Sequence, residues 1–139
     1  MSIKQTLEAR MQYRIKRGSA SVYVPSDFFD LSDRDQVGRV LRKFVKEGLL
    51  IKLGPGIFAR ARKSTITGTF IPEKNLQSLA VEALKKRGVK ILPTRYERDY
   101  NAGKTTQVPT GLVIGVNKRV NRTIAYNGKT IKYEQVASR

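Results

Sequence analysis

The sequence contains no cysteine and no histidine. Without cysteine there is no disulfide framework, no thiolate metal site and no thiol nucleophile, as is typical of an intracellular protein. Without histidine, the commonest metal ligand and the usual general base near neutral pH are also missing. We therefore expect no metal site, no cofactor and no enzymatic activity.

Long apolar runs are absent as well. No stretch approaches the roughly 20 apolar residues that a membrane span requires. The N-terminal segment MSIKQTLEARMQYRIKRG carries no apolar core of signal-peptide length. We therefore expect a cytoplasmic protein that makes no contact with a membrane.

Acidic residues are few, since 11 Asp and Glu stand against 28 Lys and Arg, which gives a net charge of +17 over 139 residues. Such an excess indicates a polyanionic partner, with nucleic acid as the first candidate. Counting basic minus acidic residues gives 13 − 6 = +7 for residues 1–62 and 15 − 5 = +10 for residues 63–139. Two interpretations stay open: a DNA-binding regulator, and an RNA-binding or ribosome-associated protein that uses both halves.

The first half carries three helical signals. A first helix is predicted over residues 3–16 by an apolar residue at every fourth position, and Gly18 follows as a stop. After the short apolar piece SVYVP, Pro25 introduces a brief second helix that Ser26 can cap. The apolar residues of the first helix are Ile3, Leu7, Met11 and Ile15.

The third helical signal, residues 32–48, is the clearest. Ser32 and Asp35 are disposed like a capping box, and Gly48 follows as a C-cap. Apolar residues between them fall at i, i+3, i+4, i+7 and i+8, which predicts one buried face, made of Val37, Val40, Leu41, Phe44 and Val45. The opposite face is cationic and carries Asp35, Arg39, Arg42 and Lys46, flanked by Gln36 and Lys43.

Two strand-like runs, LLIKL and IFARAR, follow this helix and are separated by Gly54-Pro55-Gly56, which predicts a hairpin. Three helices followed by a hairpin within about 60 residues is the order of a winged helix-turn-helix. In that fold the last helix enters the major groove and the hairpin lies along the backbone beside it. We therefore predict a DNA-binding domain over residues 1–62, although winged helices also serve as protein-interaction modules.

Within this domain, Arg39 is the candidate for reading a base, because it lies in the N-terminal half of the cationic face and arginine can pair bidentately with guanine. Gln36 is the second candidate for a base contact. Arg42 is a further DNA-binding candidate on the cationic face. The residues expected to contact phosphates, without sequence choice, are Lys43, Lys46, Lys52, Arg60, Arg62, Arg14, Lys16 and Arg17. The alternative for each of them is a solvated surface residue.

Residues 63–139 are predicted to form a basic α+β domain, so that the whole chain belongs to the α+β class. KSTITGTF is interpreted as the link into it, and PEKNLQSLAVEALKKRG as a helix. Short strands are predicted in VKILP, GLVIGV, RTIAY and KTIKYEQV, with Asn127-Gly128 as a type I′ hairpin turn. The segment PTRYERDYNAGKTTQVPT starts with a short helix in this interpretation and continues as a loop.

Catalytic signals in this half are weak. Glu97 and Asp99, close to Arg95 and Arg98, are more typical of an exposed ionic patch than of an active site. The run Gly103-Lys104-Thr105 lacks the earlier glycine of a phosphate-binding loop. The tyrosines of this half are expected to be half-buried packing residues rather than base-stacking platforms: Tyr96, Tyr100, Tyr126 and Tyr133.

Two blocks of the sequence resemble the AbiEi-type antitoxins of abortive-infection toxin-antitoxin systems, in particular their small stand-alone members. The first block is VYVPSDFFDLSDRDQVGRVLRKFVKEGLLIKLGPGIFAR, with its SDF turn and its Gly-x-Gly wing. The second runs from LAVEALKKRGVKILP through TQVP to TIKYEQV. The resemblance implies an autorepressor that binds promoter DNA. It also implies a nucleotidyltransferase-like toxin encoded nearby, without requiring direct contact with it. Independently of the resemblance, a homodimer and cooperating monomers both stay open.

Overall fold

A computed structural model describes residues 6–104 and 112–137 of the chain. These residues form an α+β protein with two compact units, Met1–Glu73 and Lys74–Arg139. Among them, no helix combines the length and the apolar character that crossing a membrane would take. The predicted boundary after Arg62 lies within the first unit, because the segment that follows folds back onto that unit as a strand.

Within the described residues, the first unit contains three helical segments and four strands. Their bounds are α1 (Leu7–Arg17), β1 (Val22–Tyr23), a 3-10 helix (Pro25–Phe28), α2 (Arg34–Glu47), β2 (Leu50–Gly54), β3 (Ile57–Lys63) and β4 (Phe70–Pro72). The predicted order of helices and hairpin is therefore confirmed within the described residues. Ile3, the first residue of the predicted stripe, lies outside them.

Two predicted helix caps are wrong. Asp33 caps α2, since its carboxylate accepts from the Gln36 backbone N–H at 2.9 Å, so the cap lies one residue after the predicted Ser32 and the helix begins at Arg34. Asp33 is itself a preferred N-cap residue, and Asp35 keeps its place in the first turn. The brief second helix is a 3-10 turn without a Ser26 cap, because its extra bond runs from the Val24 N–H to the Asp27 carboxylate at 2.9 Å.

The predicted hairpin is confirmed, with β2 and β3 antiparallel and Leu50 opposite Arg60. β1 and β4 also pair with β3, both antiparallel. The Arg60 N–H donates to the Ser21 carbonyl at 2.9 Å, and the Arg60 carbonyl accepts from the Glu73 N–H at 2.8 Å. Since both groups of one strand residue point to the same side, β1 and β4 follow each other along one edge of β3, opposite β2.

The core of the first unit joins α1, α2 and the sheet. Met11 and Ile15 supply it from α1, as the four-residue spacing predicts. From α2, the residues below 3% exposed are Val37, Val40, Leu41 and Phe44, whereas Val45 is only half-buried. The sheet and the 3-10 turn add Tyr23, Phe28, Leu50 and Phe58. Burial of this one face leaves the other face of α2 in solvent.

In the part of the second unit that the structure describes, two helices combine with short strands. The bounds of these elements are α3 (Leu76–Lys86), β5 (Ile91–Leu92), α4 (Arg95–Asn101), β6 (Val113–Val116), β7 (Ala125–Tyr126), β8 (Lys129–Thr130) and β9 (Lys132–Gln135). β6 pairs with β5 antiparallel and with β9 parallel. The Asn127-Gly128 turn is confirmed, since both residues have positive φ, 52° and 80°, between β7 and β8. The TQVP stretch lies outside the described residues.

Candidate nucleic-acid interface

The outward side of α2 carries the cations on which the sequence prediction rests. Arg39, Arg42 and Lys46 are exposed there, opposite the buried face. Gln36 is exposed on the flank of the same helix, and its side-chain carbonyl accepts a hydrogen bond from the Arg39 Nε at 3.1 Å. This contact orients the Arg39 side chain along the helix. We call Gln36, Arg39, Arg42 and Lys46 the α2 face.

The α2 face continues onto the hairpin. Lys46 at the C-terminal end of α2 and Lys52 on β2 line the same open groove, which has a volume of about 440 Å³. Both side chains are exposed, and the floor between them is apolar, formed in part by Val45 and Ile51. One polyanion can therefore contact the helix and the hairpin together.

Arg62 and Arg17 are exposed outside that groove. Arg62 lies on β3 and lines a second groove of about 310 Å³ together with Lys16 and Lys63. The Arg17 guanidinium lies over the Tyr13 ring, 5.5 Å from its centroid, and this ring is 61% exposed. Both arginines are accessible to phosphates. Arg17 lies at the end of α1 and Arg62 on β3, so neither belongs to the helix that carries the α2 face.

Lys43 differs from its neighbours on α2. Its Nζ lies 2.8 Å from Glu8 Oε2 on α1, so that the ion pair joins the two helices. The hydrogen bond that Lys43 donates to the Glu8 carboxylate raises the pKa of Lys43 above its ordinary value. The charge that was predicted to meet a phosphate is thus matched by an acid of the same unit.

Arg14 and Arg60 are also bound within the first unit. Arg14 pairs with Asp30 and donates to the Asp27 carbonyl at 2.7 Å. Arg60 donates to the Gly18 carbonyl at 2.8 Å and lies 3.3 Å from the Glu73 carboxylate. Both guanidiniums connect separate segments of the unit, which is a structural use that the sequence prediction did not anticipate.

Sequence reasoning missed two residues beside these grooves, Lys63 and Phe70, because KSTITGTF was interpreted as a link. In the structure this segment is a tight connection between β3 and β4. The Ser64 N–H donates to the Thr69 carbonyl at 2.7 Å, and the Gly68 N–H donates to the Ser64 carbonyl at 2.9 Å. The signal was the Thr-Gly-Thr turn followed by the strand-like Phe-Ile-Pro.

Glu97, one member of the charged cluster of the second unit, has a structural role. The Glu97 carboxylate accepts from the Thr94 N–H at 3.2 Å and the Thr94 hydroxyl accepts from the Glu97 N–H at 3.0 Å, which forms a capping box for α4. Within residues 6–104 and 112–137, no group of three or more metal-ligating side chains occurs.

The tyrosines of the second unit divide into two pairs. Tyr126 and Tyr133 are half-buried, as predicted, and the Tyr133 hydroxyl donates to the Arg122 carbonyl at 2.7 Å. Burial raises the pKa of Tyr133. Tyr96 and Tyr100 on α4 are instead 39% and 37% exposed, which is more than the packing prediction allowed.

Residues 8–139 match a protein family described as a family of unknown function, DUF6088. Because the match spans nearly the whole chain, the protein belongs to this family. No curated protein and no solved structure matches the chain.

Proposed function

We propose that this member of the DUF6088 family binds double-stranded DNA through its first unit, as a winged helix-turn-helix protein, and regulates transcription. The observation that carries the proposal is the α2 face, where the exposed cations Arg39, Arg42 and Lys46 lie beside Gln36 on a helix whose opposite side is buried. In line with the antitoxin resemblance, the regulated promoter is its own, in a toxin-antitoxin or phage-defence operon. Contact with a toxin is not part of the proposal.

The dimensions of α2 suit a major groove. Its 14 residues correspond to about 21 Å of helix, and the groove of B-DNA is about 12 Å wide and admits one helix. Arg39 is the proposed base-reading residue, because its guanidinium is exposed and is aligned by Gln36. Arg42 and Lys46 lie further along the same side and are placed to contact phosphates.

The β2–β3 hairpin acts as the wing in this proposal. Its turn contains Gly56 at φ 70°, and the strand before the turn carries the exposed Lys52. Since Lys46 and Lys52 line one groove, a duplex held by α2 passes close to the hairpin. The wing therefore adds phosphate contacts, and affinity should fall with rising salt.

The proposed interface contains fewer residues than the sequence alone predicts. It retains Gln36, Arg39, Arg42, Lys46, Lys52, Arg62 and Arg17, which are exposed. Arg14, Lys43 and Arg60 are assigned instead to the framework that holds α1, α2 and the sheet together, because each is paired within the unit. Framework residues affect DNA binding only through folding.

A binding titration tests the proposal. Fluorescence anisotropy with a duplex from the region upstream of the gene, against an unrelated duplex of equal length, measures specificity at several salt concentrations. Specific binding predicts a lower dissociation constant for the upstream duplex than for the unrelated duplex at every salt concentration. Equal affinity for both duplexes would reject sequence-specific regulation, and a failure to bind either would reject DNA binding.

RNA binding is a second candidate, favoured by the exposure of Tyr96 and Tyr100. The two tyrosines are one helical turn apart on α4, and Arg95 and Arg98 of the same helix are exposed. Exposed aromatic rings beside arginines are typical of surfaces that stack unpaired bases. Affinity for an RNA hairpin, compared between the wild-type protein and a Tyr96→Ala, Tyr100→Ala variant, tests this candidate. Affinity unchanged by the substitutions would reject it.

A further inference from the structure

Phe70, the first residue of β4, presents an apolar ring to solvent. Its side chain is 51% exposed, although complete burial of a phenylalanine ring stabilises a fold by about 1.5–3 kcal/mol relative to full exposure. It pairs with Lys63 at the end of β3, which is the end of the hairpin opposite the Gly54–Gly56 turn. This ring therefore lies away from the proposed wing tip.

Gly48 fixes the position of the ring. A Cβ atom on Gly48 would lie 2.5 Å from Phe70 Cδ2 and 2.7 Å from Cε2, so the ring occupies the space where any other residue would place its side chain. The same glycine has φ 83° as the C-cap of α2. One side of the Phe70 ring thus packs against the Gly48 backbone, and the rest of the ring is exposed to solvent, where a ligand can contact it.

Cations line two grooves that Phe70 adjoins. The ring contributes to the lining of both grooves, which have volumes of about 310 and 440 Å³. The first is lined by Lys16, Arg62 and Lys63, and the second by Lys46 and Lys52, all of them exposed. Glu47 is the acidic residue common to both linings. The surroundings of the ring are therefore strongly positive.

We propose that Phe70 is a stacking platform for an unpaired nucleotide base, whose neighbouring phosphates are bound by Lys16, Arg62 and Lys63 on one side and by Lys46 and Lys52 on the other. A flat aromatic group between anionic groups is the ligand that complements a ring flanked by cations. Single-stranded nucleic acid has this chemistry, since every base offers a π-face between two phosphates. An apolar peptide would cover the ring but leave the cations unmatched.

The site shares Lys46, Lys52 and Arg62 with the proposed duplex interface, but Phe70 itself makes no proposed duplex contact, so substitutions of the ring alone test stacking apart from duplex recognition. The chain contains no tryptophan, and Phe70→Trp therefore installs a single fluorescent reporter at the proposed platform. Stacking of a base on the indole quenches its emission. The matched control is Ile66→Trp, which places the same reporter at a 93% exposed position in the turn between β3 and β4.

Titration of both variants with a single-stranded thymidine oligonucleotide of about 12 nucleotides reads the contact directly. The proposal predicts saturable quenching for Phe70→Trp and little change for Ile66→Trp. Equal quenching in both variants, or none in either, would overturn it. The same two variants are also titrated with a duplex of the same length. Loss of duplex binding there would count against DNA recognition by α2, whatever the single strand does at Phe70.

Affinity measurements complete the test. Phe70→Ala should weaken binding of the single strand by about tenfold and leave duplex affinity within about twofold, in line with the usual contribution of one stacked base. Phe70→Tyr should retain binding, because it keeps the ring. Phe70→Leu keeps apolar bulk over Gly48 but loses the π-face. It should weaken single-strand binding as Phe70→Ala does, which would assign the loss to stacking and not to a folding defect. If Phe70→Leu and Phe70→Ala both bind the single strand like the wild type, the stacking platform is wrong.

Discussion

The Arg14 guanidinium donates to both carboxylate oxygens of Asp30, at 2.7 and 2.8 Å. The same Nη1 also reaches the Asp27 carbonyl at 2.7 Å, and the guanidinium lies 5.8 Å from the centroid of the Phe28 ring. Arg14 thereby connects α1 to the 3-10 turn and to the segment that leads into α2. A residue expected to meet DNA instead helps to set the position of the helix that carries the α2 face.

Arg14→Ala should therefore lower the free energy of unfolding and leave the protein's own contacts to DNA unchanged. Loss of the hydrogen bond to the Asp27 carbonyl lowers the free energy of unfolding by about 1 kcal/mol, as measured by urea denaturation. The salt dependence of duplex binding should stay as in the wild type, since Arg14 makes no proposed phosphate contact. A lower salt slope with unchanged stability would assign Arg14 to the interface after all.

Acidification should release the contribution of Asp30. The Arg14 side chain, by hydrogen bonding, lowers the pKa of Asp30 below its ordinary value. A lowered folded-state pKa means that the stabilisation is complete above the unfolded pKa, about 3.9, and is lost as the pH falls through the folded pKa. The free energy of unfolding of the wild type minus that of Asp30→Asn should be constant from pH 7 to about pH 5 and should shrink below about pH 4. A difference that grows on acidification contradicts this assignment.

Gly48→Ala should be costly for two reasons. The positive φ costs a non-glycine residue about 1–2 kcal/mol, and the new Cβ displaces the Phe70 ring. Gly88→Ala is the matched control, because Gly88 has φ 77° next to a helix end and open space around its Cβ position. Urea denaturation should show a larger loss for Gly48→Ala than for Gly88→Ala. In a Phe70→Ala background the excess should disappear; if it persists, the ring is not its cause.

Lys43 and Lys46 form a matched pair on one helix. Both substitutions to alanine remove one positive charge, but Lys43 is paired with Glu8 whereas Lys46 lies on the α2 face. Lys46→Ala should reduce the slope of log Kd against log salt by about 0.9, the value for one phosphate contact, and Lys43→Ala should change it less. Equal changes of slope would mean that the Glu8 pair opens on binding.

Much of this fold follows from periodicity in the sequence. The spacing of Val37, Val40, Leu41 and Phe44 predicted both the helix and its buried face, because apolar residues at these intervals must share one side. The Asn127-Gly128 turn was equally predictable, since its two positive φ angles suit these residue types. Local rules of this kind need no knowledge of the tertiary contacts.

Partners of charged side chains could not be predicted in the same way. Glu8 is 35 positions from Lys43, and the Arg60 guanidinium reaches the Gly18 carbonyl across 42 positions. Such contacts depend on how the elements pack, so the sequence could not separate framework cations from accessible ones. Phe70 was missed for a related reason, because a three-residue strand carries too little alternation to be recognised without its pairing to β3.

Two variants of equal net charge show whether the α2 face binds duplex DNA. One replaces Arg39, Arg42 and Lys46 with alanine, and the other replaces Lys85, Lys90 and Lys118, which are exposed in the second unit. Both lose three positive charges, so general attraction to DNA falls equally. We predict that duplex affinity at fixed salt falls at least 100-fold in the first variant, at about 1–3 kcal/mol for the base contact plus the phosphate contacts, and less than tenfold in the second. Equal losses in the two variants would contradict the account.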